Sequence, residues 1–575
     1  MLVIKRNGRK EEFDSDKVFK ALKSSFKECG YEVLDSKINE LISELRFWDE
    51  ITVEEIQDQI EEVLNDFGYD VVARYFAIYR YKHQEARNRR NRINYMLKYK
   101  DDNENAASLS NTDPNANSTI KNVASLEAEV YKEENRITQR QRMKDKLNEL
   151  YPDIAKQYEL DLNNHVIYTN DEASTPVPKF YCQAVSLYPM MLEGVGNIDG
   201  VTPSAPNDIE SFSGQLTNLI FTLSSQCKGA VAVGSYFIAL NYYIIAEFGT
   251  DWYNKLDELA TSSVSKNPRT VRDRIYKGFS QFVWGINQPA GNRSYQSPFT
   301  NISYYDHTYF NSLFGDFYYP DGTKPEWQAI NALQKLFMKW FNKLRTKAIV
   351  AFPVETVAMV YDPETKEIID KEWANFTAEM YAEGHSFFTY ISDSADSLSS
   401  CCRLKNKLAK NTFNPTSGLT GVQTGSCNVI TLNLNRIIQN YFSSYTHDEI
   451  VNKHLWDDNI HQQLFKDYLI DILERVYKYH IAYKTILYEW EDAGMFTCCN
   501  AGYIHMSKLY STIGVNGLNE SAEFVGLTCN NNEDYIKFIQ LIMSTIKEQN
   551  TAHSIHDKKK PIIFNSEVIP KSLGM

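Results

Sequence analysis

A mixed α/β body preceded by a small α+β unit is the fold class that this sequence predicts. Three observations carry the prediction. The chain has 575 residues, more than one ordinary domain holds. From Tyr151 onward, amphipathic helical stretches alternate with short strand-like runs, among them "AIVAFPVETVAMVY", "NVITLNLN" and "PIIFNSEVI", and such alternation belongs to layered α/β architecture. A polar passage, "DDNENAASLSNTDPNANS" at 101–118, separates that body from what precedes it. The expected division is a regulatory-sized unit at 1–95, a linker at 96–118 and the main body at 119–575.

Within the first unit, "LVIKRNGRKEEF" reads as a hairpin with Asn7-Gly8 as the turn signal. A helix follows, with Asp14 or Ser15 as N-cap, apolar Val18, Phe19, Leu22 and Phe26 along one face, and Gly30 as its stop. Thr52 with Glu55 forms a capping box at the head of "TVEEIQDQIEEVLNDFG". "DVVARYFAIYRYKHQEARNRRNRI" gives a long third helix that turns basic toward its end, and a charged helical stretch runs from about Ile120 to Leu150. The run "GAVAVGSYFIALNYYIIA", Gly229 to Ala246, carries no charge, but its two Gly, one Ser, one Asn and three Tyr suit a helix buried in a large domain better than a membrane span.

Composition excludes several classes. Hydrophobic residues make up 43% and charged residues 23%, as in a globular protein with a substantial core. A formal net charge of −13 disfavours nonspecific nucleic-acid binding, which wants a basic face, yet leaves room for small phosphorylated ligands in a local pocket of donors. Nine cysteines are too few for a secreted disulfide scaffold, and no Cys-x-x-Cys pair exists to hold a compact zinc site, so no metal is expected in this chain. The N-terminus "MLVIKRNGRK" is not a signal peptide; with no membrane segment, the expected compartment is a reducing cytoplasm.

Two places carry chemistry. Lys5 and Arg6 flank a Gly-containing turn, and Lys17 lies in the first turn of a helix, so cations, close-approaching backbone and a helix dipole converge where a triphosphate would be favoured. Adjacent thiols, Cys401 and Cys402, precede a polar Gly-rich passage and then the strand-like run behind Ser426 and Cys427. Buried structural cysteine is the alternative for these thiols and for Cys182.

"VIKRNGRKEEFDSDKV", "ITVEEIQDQIEEVL" and "VARYFAIYRYK", in that order, resemble the ATP cone, a regulatory nucleotide-binding module. The resemblance implies ATP and dATP as allosteric effectors, dATP inhibiting, bound through Val3, Lys5, Arg6, Asn7, Gly8, Glu11, Asp14, Lys17 and Gln57. "SSCCRLKN … GSCNVITLNLNRI" resembles the active-site loop and following strand of anaerobic, class III ribonucleotide reductases, which are glycyl radical enzymes. "NENA" at 103–106, "KFYCQAVSLYPM" around Cys182, "SPFTNIS" at 297–303, "AIVAFPVETVAMV" at 348–360, "STIGVNGLNE" at 511–520 and "FNSEVIP" at 564–570 agree with that family in order, so the resemblance spans nearly the whole chain.

What the family implies is a ten-stranded α/β barrel with a finger loop inside, and radical reduction of ribonucleotides to deoxyribonucleotides. Cys402 matches the loop-tip cysteine that becomes a transient thiyl and takes the 3′ hydrogen, and Cys182 matches the cysteine at the opposite face of the substrate. Cys401 is either a second redox thiol or a packing residue. Glu567 in "FNSEVIP" is a candidate carboxylate base, with an exposed strand-end Glu as the alternative. Ser511, Thr512, Gly514 and Gly517 in "STIGVNGLNE" are the candidate substrate-phosphate residues, with a structural Gly turn as the alternative. Members that use formate carry an Asn where Ser426 stands here, which argues against formate as reductant. Cys427, next to Ser426, is expected to point to the other side of the strand and into the core.

The family's four-cysteine zinc site and its radical loop with an Arg-x-x-Gly-Tyr-like motif have no counterpart in these residues. The expectation is either a split enzyme, whose zinc-binding glycyl radical polypeptide is separate and is activated by a radical S-adenosylmethionine activase, or a truncated product. A homodimer or higher oligomer is expected. The alternatives are another glycyl radical enzyme of the pyruvate formate-lyase kind, which also uses adjacent cysteines, and a non-catalytic, nucleotide-responsive regulatory protein.

Overall fold

The computed structural model divides into two compact units, Met1–Asn105 and Ala106–Met575. The structure describes residues 2–5, 9–46, 48, 50–105, 123–196, 198, 203–260, 269–289, 296–348, 350–395, 397–399, 405–407 and 424–568.

In the first unit the hairpin forms as expected: β1 (Leu2–Ile4) pairs antiparallel with β2 (Lys10–Glu12), Leu2 opposite Glu12. A third strand, β3 (Glu50–Thr52), adds parallel to β1 on its other edge. Four helices follow the same chain: α1 (Ser15–Glu28), α2 (Asp35–Ser43), α3 (Val53–Asp66) and α4 (Asp70–Asn105). Asp14 caps α1 by accepting from the Asp16 amide at 3.0 Å, and Gly30, at φ +76°, ends it in the left-handed conformation that Gly tolerates. The capping box closes in both directions at α3: Glu55 N–H donates to Thr52 Oγ1 at 3.1 Å and Thr52 N–H to Glu55 Oε2 at 2.7 Å. Val3, Leu22, Phe26, Ile38, Ile51, Ile60 and Leu64 make the core of this unit.

Two elements here were not anticipated, and each has a physical reason. α2 starts behind Leu34, which offers no side-chain cap, and β3 is too short to show alternation. Helix α4 continues to Asn105, so residues 96–105 of the expected linker are helical.

The second unit is built on a nine-stranded sheet. Its strands are β4 (Ile167–Thr169), β5 (Cys182–Ala184), β6 (Val231–Ala232), β7 (Thr300–Tyr305), β8 (Val354–Val360) and β9 (Phe388–Ser392), then β12 (Thr424–Asn433), β13 (Leu509–Asn516) and β14 (Ile563–Val568). Between β9 and β12, β10 (Ser397–Ser399) and β11 (Lys405–Lys407) form a separate antiparallel pair. The main order is β14-β13-β12-β5-β6-β7-β8-β9, with β4 also on β12. β5 through β9 run parallel to one another, and so do β12 through β14. The two halves meet antiparallel where β12 pairs β5. This curled two-half sheet has the α/β barrel architecture expected from the sequence; nine of its strands lie among the described residues.

Helices cover one face of the sheet. Ile302, Ile430, Leu432, Ile513, Val515 and Phe564 belong to the large core that they share with Phe237, Phe279, Phe337 and Leu473. The helix Val123–Leu150 falls where charge patterning predicts it. The uncharged run at 229–246 is not one helix: Val231–Ala232 are β6, and the helix begins at Tyr236. Gly234 and Ser235 sit at the break, and the parallel register with β5 and β7 captures the first half as a strand. Among the described residues no helix is long and apolar enough to cross a membrane.

Candidate functional site

Alternation along the strands sorts their side chains into two faces. Cys182 and Ser426 are directly paired across β5 and β12, so they share a face. Thr512 joins them, its Oγ1 lying 2.9 Å from Ser426 Oγ. Gly514, two residues on, is aligned with Thr431 on one side and Glu567 on the other. This face therefore carries Cys182, Ser426, Thr512, Gly514 and Glu567 together. Cys182 lies outside the large core, in a small cluster of its own with Ala230, Tyr181 and Phe299.

Backbone geometry around Cys182 is tight. The Ala230 amide donates to Cys182 Sγ at 3.3 Å. A Cβ on Gly229 would come 2.7 Å from that sulfur, and one on Gly425 would come 2.1 Å from the Cys182 carbonyl oxygen. Both positions need glycine because the thiol-bearing strand approaches so closely on both sides.

The ladder breaks between Ser426 and Asn428, where Cys427 is the extra residue of a β-bulge. Ser426 Oγ donates to the Asn428 carbonyl at 2.9 Å across the bulge. A hydroxyl has one proton, so Thr512 is the donor in its bond to Ser426. Cys427 is buried on the helix side, as expected, with its sulfur 3.3 Å from Ser511 Oγ.

Ser511 thus faces the helices, away from Thr512 and Gly514. β13 is paired on both edges, so the backbone amides of Ser511, Thr512 and Gly514 serve the sheet. Gly517 stands apart from them, in the left-handed turn at φ +73° just before the helix Leu518–Phe524 and packed against Asn435. The four phosphate candidates are therefore not one nest. Cys401 and Cys402 lie outside the described residues, between β10 and β11.

Behind the sheet, the helix Asn459–Asp492 buries His480 and Lys484, two groups absent from the sequence-based candidates. Burial of an imidazole whose two ring nitrogens have no hydrogen-bond partner among the described residues pushes His480 down to about 3. Burial also lowers Lys484, and its Nζ donates to the Leu509 carbonyl at 2.5 Å. Their spacing of four on a helix whose other inward positions are apolar was the available signal.

In the first unit, Lys5 Nζ lies 3.2 Å from Glu11 Oε2, and Lys17 Nζ lies 3.9 Å from Glu11 and 3.7 Å from Asp14. The structure therefore brings Lys5, Glu11, Asp14 and Lys17 together at the head of α1. Val3 is buried between its register partners Glu11 and Ile51, and Gln57 sits on the second turn of α3. Arg6, Asn7 and Gly8 lie outside the described residues. Two ammonium groups beside a helix N-terminus suit a polyphosphate, whose oxygens would take over the contacts now made by Glu11 and Asp14.

Comparison with known families finds the anaerobic ribonucleoside-triphosphate reductase family over residues 127–570 and the ATP cone domain over residues 1–85. No curated protein matches. Similar solved structures include the anaerobic ribonucleotide reductase from Thermotoga maritima in complex with dATP and CTP, 24% identical, TM-score 0.63, covering 78% of this chain and 68% of that one. One from Thermotoga maritima with citrate in the active site is 21% identical, TM-score 0.62, with 83% and 78% covered. Another, described as anaerobic ribonucleotide reductase, is 24% identical, TM-score 0.64, with 83% and 69% covered. At these identities the likeness is one of fold.

Proposed function

The chain belongs to the anaerobic ribonucleoside-triphosphate reductase family and carries an ATP cone, so it is an oxidoreductase of allosterically regulated ribonucleotide reduction; on that premise we propose how its own residues divide the work. Cys182, Ser426, Thr512, Gly514 and Glu567 line one side of the substrate site, and the observation that carries this is their common face. Five residues of extended chain, roughly 16 Å, separate Thr512 from Gly517. The ribose then lies at the Cys182 end, and the phosphates lie beyond the strand ends at the Gly517 turn, where parallel strands of α/β sheets present ligands. Glu567 falls between the two and acts as the base toward the ribose hydroxyl.

Cys402 is the group that takes the 3′ hydrogen, and Cys182 supplies a reducing thiol from the opposite side. A glycyl radical supplies the unpaired electron that generates the thiyl. No Arg-x-x-Gly-Tyr sequence occurs within these 575 residues, and β14 pairs only β13 among the described strands. A glycine-bearing, zinc-binding segment or polypeptide, activated by a radical S-adenosylmethionine enzyme, completes the reaction, and the outer edge of β14 suits its docking. ATP and dATP act at the Lys5–Lys17 site, and the working assembly is a dimer or larger.

Binding of a ribonucleoside triphosphate and of its nucleoside, measured with the chain as it is and with Gly517→Ala, tests the substrate placement. The substituted turn strains φ +73° and should weaken the triphosphate while sparing the nucleoside. Equal effects on both would contradict it.

A further inference from the structure

Along the edge of β12 where Cys182 lies, the short strand β4 brings a further polar side chain onto the face of the substrate site. β5 pairs with β12 at Thr424–Ser426, and β4 takes its place along the same strand at Ile430–Leu432. Tyr168 is the register partner of Thr431, which is in turn aligned with Gly514. Asn170, two residues after Tyr168, returns to that face, and its backbone amide still donates to the Val429 carbonyl at 3.1 Å. The next residue, Asp171, at φ +50°, turns the chain off the sheet. Ser426 is aligned with Tyr510 and Val429 with Thr512, so Asn170 lies two strand rises, roughly 7 Å, from the level of Cys182.

A neighbour orients the Asn170 amide. The buried Thr431 hydroxyl donates its proton to Asn170 Oδ1 at 2.7 Å. In an amide the nitrogen lies on the side of the carbon away from the oxygen. With Oδ1 drawn to Thr431, Nδ2 is turned the other way, toward the Cys182 end. Its two hydrogens are not used in that bond and donate to no other group among the described residues. Asn170 is only half-buried, so a ligand on this face can reach it.

With the substrate placed as proposed, on which this assignment depends, the phosphates lie at the Gly517 turn and Glu567 meets a ribose hydroxyl from the row of Gly514. The ribose carbons run from C5′ through C4′ and C3′ to C2′ away from the phosphates. The hydroxyl at the level of Glu567 is then the 3′ group, and the 2′ group falls one step nearer Cys182, at the level of Asn170. We propose that Asn170 is a specificity residue whose Nδ2 donates a hydrogen bond to the 2′ hydroxyl oxygen. The amide transfers no proton. It fixes the oxygen that the reaction removes, beside the Cys182 thiol. The same contact separates substrate from product, because a 2′-deoxyribonucleotide offers no oxygen there and leaves the amide without its partner.

The test is displacement of radiolabelled cytidine triphosphate from the full chain by unlabelled cytidine triphosphate, by its 2′-deoxy form and by its 3′-deoxy form, with ATP present throughout to fill the first unit. The unaltered chain should bind cytidine triphosphate about tenfold more tightly than the 2′-deoxy form, as one well-made hydrogen bond provides. Asn170→Leu, close in size and without a donor, should bring these two affinities together. It should leave the 2′-deoxy affinity unchanged, which shows the site to be folded, and preserve the ratio of the parent to the 3′-deoxy form. Asn170→Ala should do the same. A failure of the substrate placement reads differently: Gly517→Ala would then weaken nucleoside and triphosphate alike. The proposal is overturned if the unaltered chain does not distinguish the 2′-deoxy form, if the preference survives in either variant, or if the 3′-deoxy ratio is the one that changes.

Discussion

Ser426 lies directly across from Cys182 in the antiparallel junction of the two half-sheets, and its hydroxyl proton is already committed to the Asn428 carbonyl at 2.9 Å. Thr512 spends its own proton on Ser426. Neither hydroxyl is left to donate to a small carboxylate. Deoxynucleotide formation is therefore expected to proceed at the same rate with and without formate and to require a thiol reductant. A rate that rises with formate would contradict this reading. Thr512→Val removes one buried hydrogen bond and should lower stability by about 1 kcal/mol, read from urea unfolding.

Gly229→Ala tests the close packing at the thiol. The added methyl would sit 2.7 Å from Cys182 Sγ, with the Tyr181 carbonyl oxygen at 2.8 Å, so the sulfur must move. Turnover should fall by at least about tenfold, because small displacements of reacting groups are costly, while effector binding at the first unit stays unchanged. Unaltered turnover would show that the position of this sulfur does not matter to the reaction.

At the first unit, Lys5→Ala with Arg6→Ala should weaken ATP and dATP alike, by roughly 1.5–3 kcal/mol for each well-aligned charge-assisted contact. Calorimetry on the full chain reads this directly. Because Lys5 and Lys17 are paired with Glu11 and Asp14, Glu11→Gln should tighten binding. Weaker binding by Glu11→Gln would mean that the carboxylate itself contacts the nucleotide.

His480 should make the second unit acid-labile. Its folded value of about 3 is below the ordinary 6.5, so the unfolded chain takes up the proton first as pH falls. Stability is fully present above pH 6.5 and declines as pH drops toward 3, by up to about 5 kcal/mol from this group alone. Urea midpoints for the chain and for His480→Phe, compared between pH 7 and pH 4, should converge as the pH falls or cross over. A constant difference between the two would contradict the assignment.

Much of this architecture was legible because its signals are local. Thr52 with Glu55, Asp14 before α1, and the apolar runs that became β8, β12 and β14 each announce themselves within a few residues. The features that were not legible depend on distant partners. Nothing near Val231 says that it will be a strand, since only β5 and β7 make it one. The bulge at Cys427, the need for glycine at 229 and 425, and the turning of Ser511 toward the helices all arise from register between strands far apart in sequence. Cys182 and Ser426 were readable as candidates, but their direct pairing was not.

The central claim is that Cys402 and Cys182 act from opposite sides of a ribonucleotide. Its most direct test is anaerobic turnover of a radiolabelled ribonucleoside triphosphate by the chain supplied with a glycyl radical source and an activase, alongside Cys402→Ser and Cys182→Ser. The account predicts deoxynucleotide from the unaltered chain and none from either variant, with Cys182→Ser still exchanging the substrate's 3′ hydrogen and Cys402→Ser not. Deoxynucleotide formation by Cys402→Ser, or 3′ exchange that survives its loss, would contradict it.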